Sequence, residues 1–368
     1  MNNEKEKISS GILMFSVTCY MQSSSMLSGF TSTITSQDTW ISVLTGFIEA
    51  LPILWIYMKL VTLFPGKSII EINECVFGKV IGKVFSVLYV YFFFSLTFLN
   101  GDVLSGFVVG SILPETPRVA IIIAFVLLCV YTVRKGIEPL ARCSTLFVII
   151  MFAMLLFNSM LLIQNMKLSN FLPMLSLPIK NYVQATQTQT FLPFGDILVF
   201  FMLFPNLQNS NNIKKPFLKG FLIGAATVLL VVLRDTAVLG PAISMVSNPS
   251  FESVRLINIA DTLTRLEIIN ATILISLLFF KISILFYATV KGISQIFKLQ
   301  SYKSLVPTVG ALIVVFTFIV FKSSMEHAIW GMDFAAFSGM FFELILPLIT
   351  LIVLTLKGIF KNKEVKTA

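Results

Sequence analysis

Apolar runs about the length of a membrane-crossing helix recur along this chain, and few charges interrupt them. A helix needs about 20 apolar residues to cross the hydrocarbon core of a bilayer. On that measure residues 8–34, 40–63, 84–112, 119–133, 141–163, 183–207, 217–240, 266–290, 305–321 and 336–357 predict ten transmembrane helices. The 119–133 and 305–321 segments are short for the task, and the count depends on accepting both. Composition agrees: 12% of the residues are charged and 56% hydrophobic, whereas soluble domains carry about a quarter charged. The expectation is an all-α polytopic protein of the lipid bilayer. Residues 1–7 alternate Glu and Lys with no basic n-region, and no small-residue cleavage site follows, so the first helix is expected to be retained.

The net charge of +9 would suggest nucleic acid in a soluble protein, but here the basic residues fall on alternate loops. Arg118, Lys167, Lys180, Arg255, Arg265 and Lys322 fall on one side and Arg234 and Lys281 within helices; the other nineteen of the 27 Lys and Arg share the opposite side with both termini. Basic loops stay in the cytoplasm, which predicts both termini cytoplasmic and no nucleic-acid partner. Omitting one helix would invert every later loop and erase the bias.

Two of the apolar runs are broken. Gln22-Ser23-Ser24-Ser25 interrupts the first, and Phe191-Leu192-Pro193-Phe194-Gly195-Asp196 interrupts the sixth, with a proline, a glycine and a charge together. Lipid offers freed backbone groups no water, so such breaks persist only inside protein or against a cavity. Interrupted helices in corresponding positions of two halves point to a binding site at the midplane of a transporter-type fold. Five helices per half, an odd number, make the second half enter from the opposite face, as a 5+5 inverted repeat. The expected organisation is a cytoplasmic tail 1–7, a five-helix repeat 8–163, an extracytoplasmic linker 164–182, a second repeat 183–357 and a cytoplasmic tail 358–368. The outer loop 241–265 is expected to carry a short surface helix. Cys75 is placed in a Lys-rich cytoplasmic loop, and the four cysteines suggest neither a disulfide framework nor a metal cluster.

Several motifs, in order along nearly the whole chain, resemble one family. They are Leu63-Phe64-Pro65-Gly66-Lys67-Ser68, Phe77-Gly78-Lys79-Val80-Ile81-Gly82-Lys83, Gly136-Ile137-Glu138-Pro139-Leu140-Ala141-Arg142, Asn170-Phe171-Leu172-Pro173 and Arg265-Leu266-Glu267. In these the chain resembles the B subunit of GerA-type spore germinant receptors, the endospore germination permeases of the amino acid, polyamine and organocation transporter superfamily. The resemblance implies a LeuT-like bundle in the spore inner membrane that binds a small germinant, often an amino acid, alongside A-type and lipoprotein C-type subunits. It also marks two departures. Ser23-Ser24-Ser25 replaces a Gly-x-Gly break, and Asn100-Gly101-Asp102 replaces a Glu-x-Arg, which removes an expected internal ion pair.

An ionisable residue inside a membrane helix costs about 2.5–3.5 kcal/mol on insertion scales, and so is a functional candidate by default. Here these are Glu49, Asp102, Asp196, Arg234, Asp235, Lys281 and Glu343. The neighbours Arg234 and Asp235 suit a structural or interfacial role, while Glu49 and Glu343 suit either a pairing across the bundle or contact with a partner subunit. In the architecture that the resemblance implies, helices one, three, six and eight line the cavity, which brings Asp196 and Lys281 together. The candidate germinant site is then Ser23, Ser24, Ser25, Phe92, Leu96, Phe194, Gly195, Asp196 and Lys281. Backbone amides freed by the breaks would receive a ligand carboxylate, and Asp196 or Lys281 the opposite end. Alternatively Asp196 and Lys281 pair with each other, or Lys281 stands in for a coupling cation.

No phosphate loop or dinucleotide fingerprint is present, so no cofactor is expected. His327, the one histidine, has no ligand cluster around it and is read as a surface residue with no metal. The reading is a germinant-receptor subunit and not an enzyme; the alternative is a proton- or ion-coupled amino acid transporter. One catalytic pairing is left open, between Ser23–Ser25 and Lys281.

Overall fold

A computed structural model of the chain describes residues 7–209, 212–257 and 266–357, and these are almost wholly helical. The two tails (1–6 and 358–368) and Arg265 of the Arg-Leu-Glu motif lie outside the described residues. In hydrocarbon a helix satisfies its own backbone, and the helices fall on the apolar segments read from sequence. In chain order they are α1 Ser10–Ser23, α2 Ser28–Thr35, α3 Thr39–Leu63, α4 Ile69–Ser111, α5 Arg118–Lys135, α6 Ile137–Leu162 and α7 Ile179–Gln189. There follow α8 Lys214–Leu239, α9 Pro249–Arg255, α10 Leu266–Ile296, α11 Val306–Ile319, α12 Ser324–Asp333, α13 Ala335–Gly339 and α14 Leu346–Leu356. Six helical stretches among the described residues are long and apolar enough to cross a membrane: Gly29–Leu63, Ile69–Ser111, Ile137–Leu162, Lys214–Met245, Leu266–Ile296 and Ala335–Leu356.

Two sequence expectations change. The third apolar segment is entered from Ile69, not residue 84, because Ser68 and Glu71 form a capping box: the Glu71 amide donates to Ser68 Oγ (3.2 Å) and the Ser68 amide to Glu71 Oε2 (2.7 Å). Cys75 therefore lies on a helix and not in a loop. At Gly78 (φ +82°) the chain turns a corner inside α4 in a conformation that L side chains rarely adopt. The second change concerns residues 241–257. Their short helix α9 is not on the surface: Phe251, Ser253 and Val254 are buried against α8 and α10.

The centre of the bundle is made of α1, the irregular segment after α7, and α10. Residues 196–204 are all within 2% of complete burial, and every residue of α10 from Phe280 to Val290 is buried. The outer helices do the opposite. Trp55, Leu127, Tyr131, Leu156 and Met160 are more than half exposed, a belt of apolar surface suited to lipid and costly in water.

Candidate functional site

The two breaks meet at the bundle centre. After α1 the chain tightens into a 3₁₀ turn, Ser24–Leu27, before resuming as α2. After α7 it loosens into a π turn, Thr190–Gly195, containing Pro193, and then tightens into a 3₁₀ run, Asp196–Met202. Pro193 lacks a donor, and π turns insert residues that the helical repeat cannot absorb. The backbone is thus wound out of phase where the two segments touch.

Lys281, on α10, closes the gap between them. Its Nζ donates to Ser24 Oγ at 2.6 Å and to Asp196 Oδ2 at 2.5 Å, and sits 4.8 Å from the centre of the Tyr20 ring. Lys281 and Asp196 are 1% and 2% exposed. Of the readings left open by sequence, mutual pairing of Asp196 and Lys281 is the arrangement found, with a hydroxyl from the first break as third member.

A second carboxylate faces this group. Glu343 lies in a π turn, Met340–Ile345, between α13 and α14, and is 2% exposed. Its carboxylate fills the space left by the missing side chain of Gly195, where a Cβ would fall onto Oε2. The Tyr57 hydroxyl fixes both strands of this contact, lying 3.0 Å from the Gly195 carbonyl oxygen and 2.7 Å from that of Glu343. Glu343 does not pair with Glu49, which is exposed and accepts from Thr190 Oγ1 at 3.1 Å. Its charge in an apolar run was the sequence signal; nothing in sequence showed that it faces Gly195.

Asp196 and Glu343 line a small cavity of about 30 Å³ with Leu27, Phe92, Leu96 and Trp330. That is room for a water or two, far below the roughly 300 Å³ at which ligand pockets begin. Phe92 and Leu96 stand on its wall, Phe92 stacked on Phe342 at 4.5 Å. Phe194 does not line it. The π turn carries Phe194 to the other side, against Phe47 and Phe221, and Phe191 takes the wall position. Ser23 turns back onto the Tyr20 carbonyl, and Ser25 is buried beside Ser24 without lining the cavity.

On one side of the cavity lies a larger cleft of about 380 Å³, lined by Met26, Asp102, Phe107, Asn248 and Glu252 among others. Phe30, Val103 and His327 belong to both walls and form the partition. Here two expectations are corrected. His327 is not a surface residue: it is 4% exposed, with Nδ1 2.6 Å from Asp102 Oδ2 and its ring stacked on Phe321 at 4.5 Å. Nor does Asn100-Gly101-Asp102 lack an internal ion pair, because Arg118 Nη2 donates to Asp102 Oδ1 at 2.5 Å and Arg118 Nε to Ser105 Oγ at 2.8 Å. The acid of this pair comes from α4 and the base from α5, so no spacing within one helix reveals it. Arg234 and Asp235 pair with each other, and Arg234 also reaches Ser250 Oγ at 2.8 Å, tying α8 to α9.

Among the described residues no three His, Cys, Asp or Glu side chains form a metal-binding group.

Comparison with known proteins places this arrangement. The family model described as "Spore germination protein" matches residues 7–325. Spore germination protein KB of Bacillus subtilis (strain 168) is 28% identical over 98% of this chain and 97% of its own length. Two further proteins of that strain are similar: the putative spore germination protein YfkT (25% identical; 89% and 90% covered) and spore germination protein YndE (28%; 72% and 73%). Among solved structures, the nucleobase-cation-symport-1 family transporter Mhp1, in a closed conformation with bromovinylhydantoin bound, superposes with a TM-score of 0.55 over 96% of each chain at 11% identity. That likeness is one of fold.

Proposed function

The chain belongs to the spore germination protein family, and from that premise we propose that it is the integral-membrane subunit of a spore germinant receptor. In this reading it binds a small germinant, an amino acid, in the central cavity, and the bound state triggers germination. It acts by binding and signalling, not as an enzyme. It works in the spore inner membrane with A-type and lipoprotein C-type subunits, both termini in the cytoplasm. Its helices number ten in a 5+5 inverted repeat, the first and sixth interrupted. The basic-residue bias supports the topology, and the shared fold of a transporter supports the architecture.

One observation carries the proposal: the two chain breaks meet around Lys281, beside a cavity too small for any germinant. In this reading the small cavity beside the larger cleft has two states, a narrow one and an opened one. A ligand that fits only the opened one shifts the population toward it, and that shift is the signal. The lining residues Phe92, Leu96 and Asp196 form the contact surface, and Ser24, Gly195 and Lys281 hold the breaks in register.

The shared fold also favours a second reading, an ion- or proton-coupled amino acid transporter. The purified protein in lipid vesicles separates the two, with radiolabelled amino acids, sugars and nucleosides as probes. Saturable binding without uptake supports the receptor. Uptake driven by an ion gradient supports the transporter, and absence of any binding overturns both.

A further inference from the structure

We infer that the central cavity selects its ligand by an ammonium group, which docks between Glu343 and Asp196, with an apolar side chain of the ligand against the aromatic wall. This rests on the reading of the cavity as the germinant site and names the chemistry it takes.

Lys281 is not free to hold a ligand carboxylate. Its charge is matched by Asp196 at 2.5 Å and its second contact is Ser24. The wall presents three buried side-chain oxygens, Asn100 Oδ1, Asp196 Oδ1 and Glu343 Oε2; the first and last have no hydrogen-bond partner, and Asp196 also faces the Tyr20 hydroxyl. All three are acceptors. The Asn100 assignment is fixed by its Nδ2 donating to the Leu96 carbonyl at 2.8 Å. A buried acceptor without a donor is costly, and more so when it carries charge. An occupant that supplies only donors removes that cost, and an ammonium has three donors and no acceptor.

Charge gives the same answer. Lys281 is matched by Asp196, which leaves Glu343 the buried acidic side chain of this wall with no basic partner, and a cationic donor group complements it. The remaining wall of Leu27, Phe92, Leu96, Phe191 and Trp330 offers apolar contact, and aromatic faces attract a cation. Gly195 is part of the device, since any side chain there would displace the Glu343 carboxylate.

The test is equilibrium binding to the purified protein in lipid nanodiscs. The probes are the twenty amino acids, then, for the tightest binder, its deaminated acid and its decarboxylated amine; for leucine these are 4-methylpentanoate and 3-methylbutylamine. In the wild-type protein the amine should bind within a few-fold of the amino acid. The deaminated acid should bind about 30-fold more weakly, the scale of one charged hydrogen-bonded contact. In Glu343→Gln that discrimination should fall below about 3-fold, and an unchanged far-ultraviolet circular dichroism spectrum shows that the variant is folded. A deaminated acid that matches its parent in the wild-type protein overturns the inference and leaves the receptor reading intact. Binding of sugars or nucleosides but of no amine overturns it equally, and binding of nothing removes the receptor reading as well.

Discussion

Lys281 Nζ lies 2.5 Å from Asp196 Oδ2, and the two side chains, from helices far apart in sequence, are both at least 98% buried. Their pairing joins α10 to the interrupted segment after α7, and Ser24 joins α1 to the same group. Three elements with broken or long helical paths are thus pinned through one ammonium.

Removing one partner strands the other. Lys281→Met should lower stability by about 3–5 kcal/mol, the usual cost of an uncompensated buried charge. Lys281→Met with Asp196→Leu should recover most of that, because an apolar pair of similar volume is often neutral. Denaturant unfolding of the purified variants reads both, and a double variant no more stable than the single one would show that the pair is not coupled.

Gly195 and Glu343 make a second, purely steric coupling. Gly195→Ala should cost about 1–3 kcal/mol by overpacking, because the new Cβ meets the Glu343 carboxylate. In a Glu343→Ala background the same change should be nearly free. A double-mutant cycle on thermal unfolding checks this, and additive effects would contradict the contact.

The partition between cleft and cavity depends on His327. His327→Phe keeps an aromatic ring for Phe321 but loses the bond to Asp102, leaving one carboxylate oxygen unmet while Arg118 holds the other. About 1–3 kcal/mol of stability should be lost. Cysteine substituted at Leu99, which lines the cavity and not the cleft, should react faster with a water-soluble thiol reagent in this variant. An unchanged rate would show that His327 does not seal the partition.

The breaks were legible in sequence because Pro193, Gly195 and a run of serines cannot pass unnoticed in an apolar helix. Asp196 and Lys281 were legible because charge in lipid must be accounted for. Phe194 was misplaced for a physical reason: a π turn adds residues to the helical repeat, so the side chain assigned to the wall by counting rotates away and Phe191 replaces it. His327 misled because a lone histidine in a polar stretch looks solvated. Its partner Asp102 is 225 residues away in the chain, and that closure belongs to tertiary packing. Glu343 was flagged by its charge, but the Gly195 surface that receives it is likewise a long-range contact.

Ser24→Leu tests the meeting of the breaks most directly. Ser24 shares a space of only about 10 Å³ with Thr31, Gln189, Leu192 and Pro193, so a leucine there must push the first break away from the second and also loses the bond to Lys281. The outer helices, which hold the chain in the bilayer, are untouched. Spores should therefore carry the variant in their membranes at near-normal levels by immunoblot and fail to germinate with the amino acid that acts through this subunit. Ser24→Ala, which removes only the hydroxyl, should keep a weakened response. Normal germination with Ser24→Leu would mean that the two breaks need not stay in contact for signalling, and the germinant site would have to be sought elsewhere in the bundle.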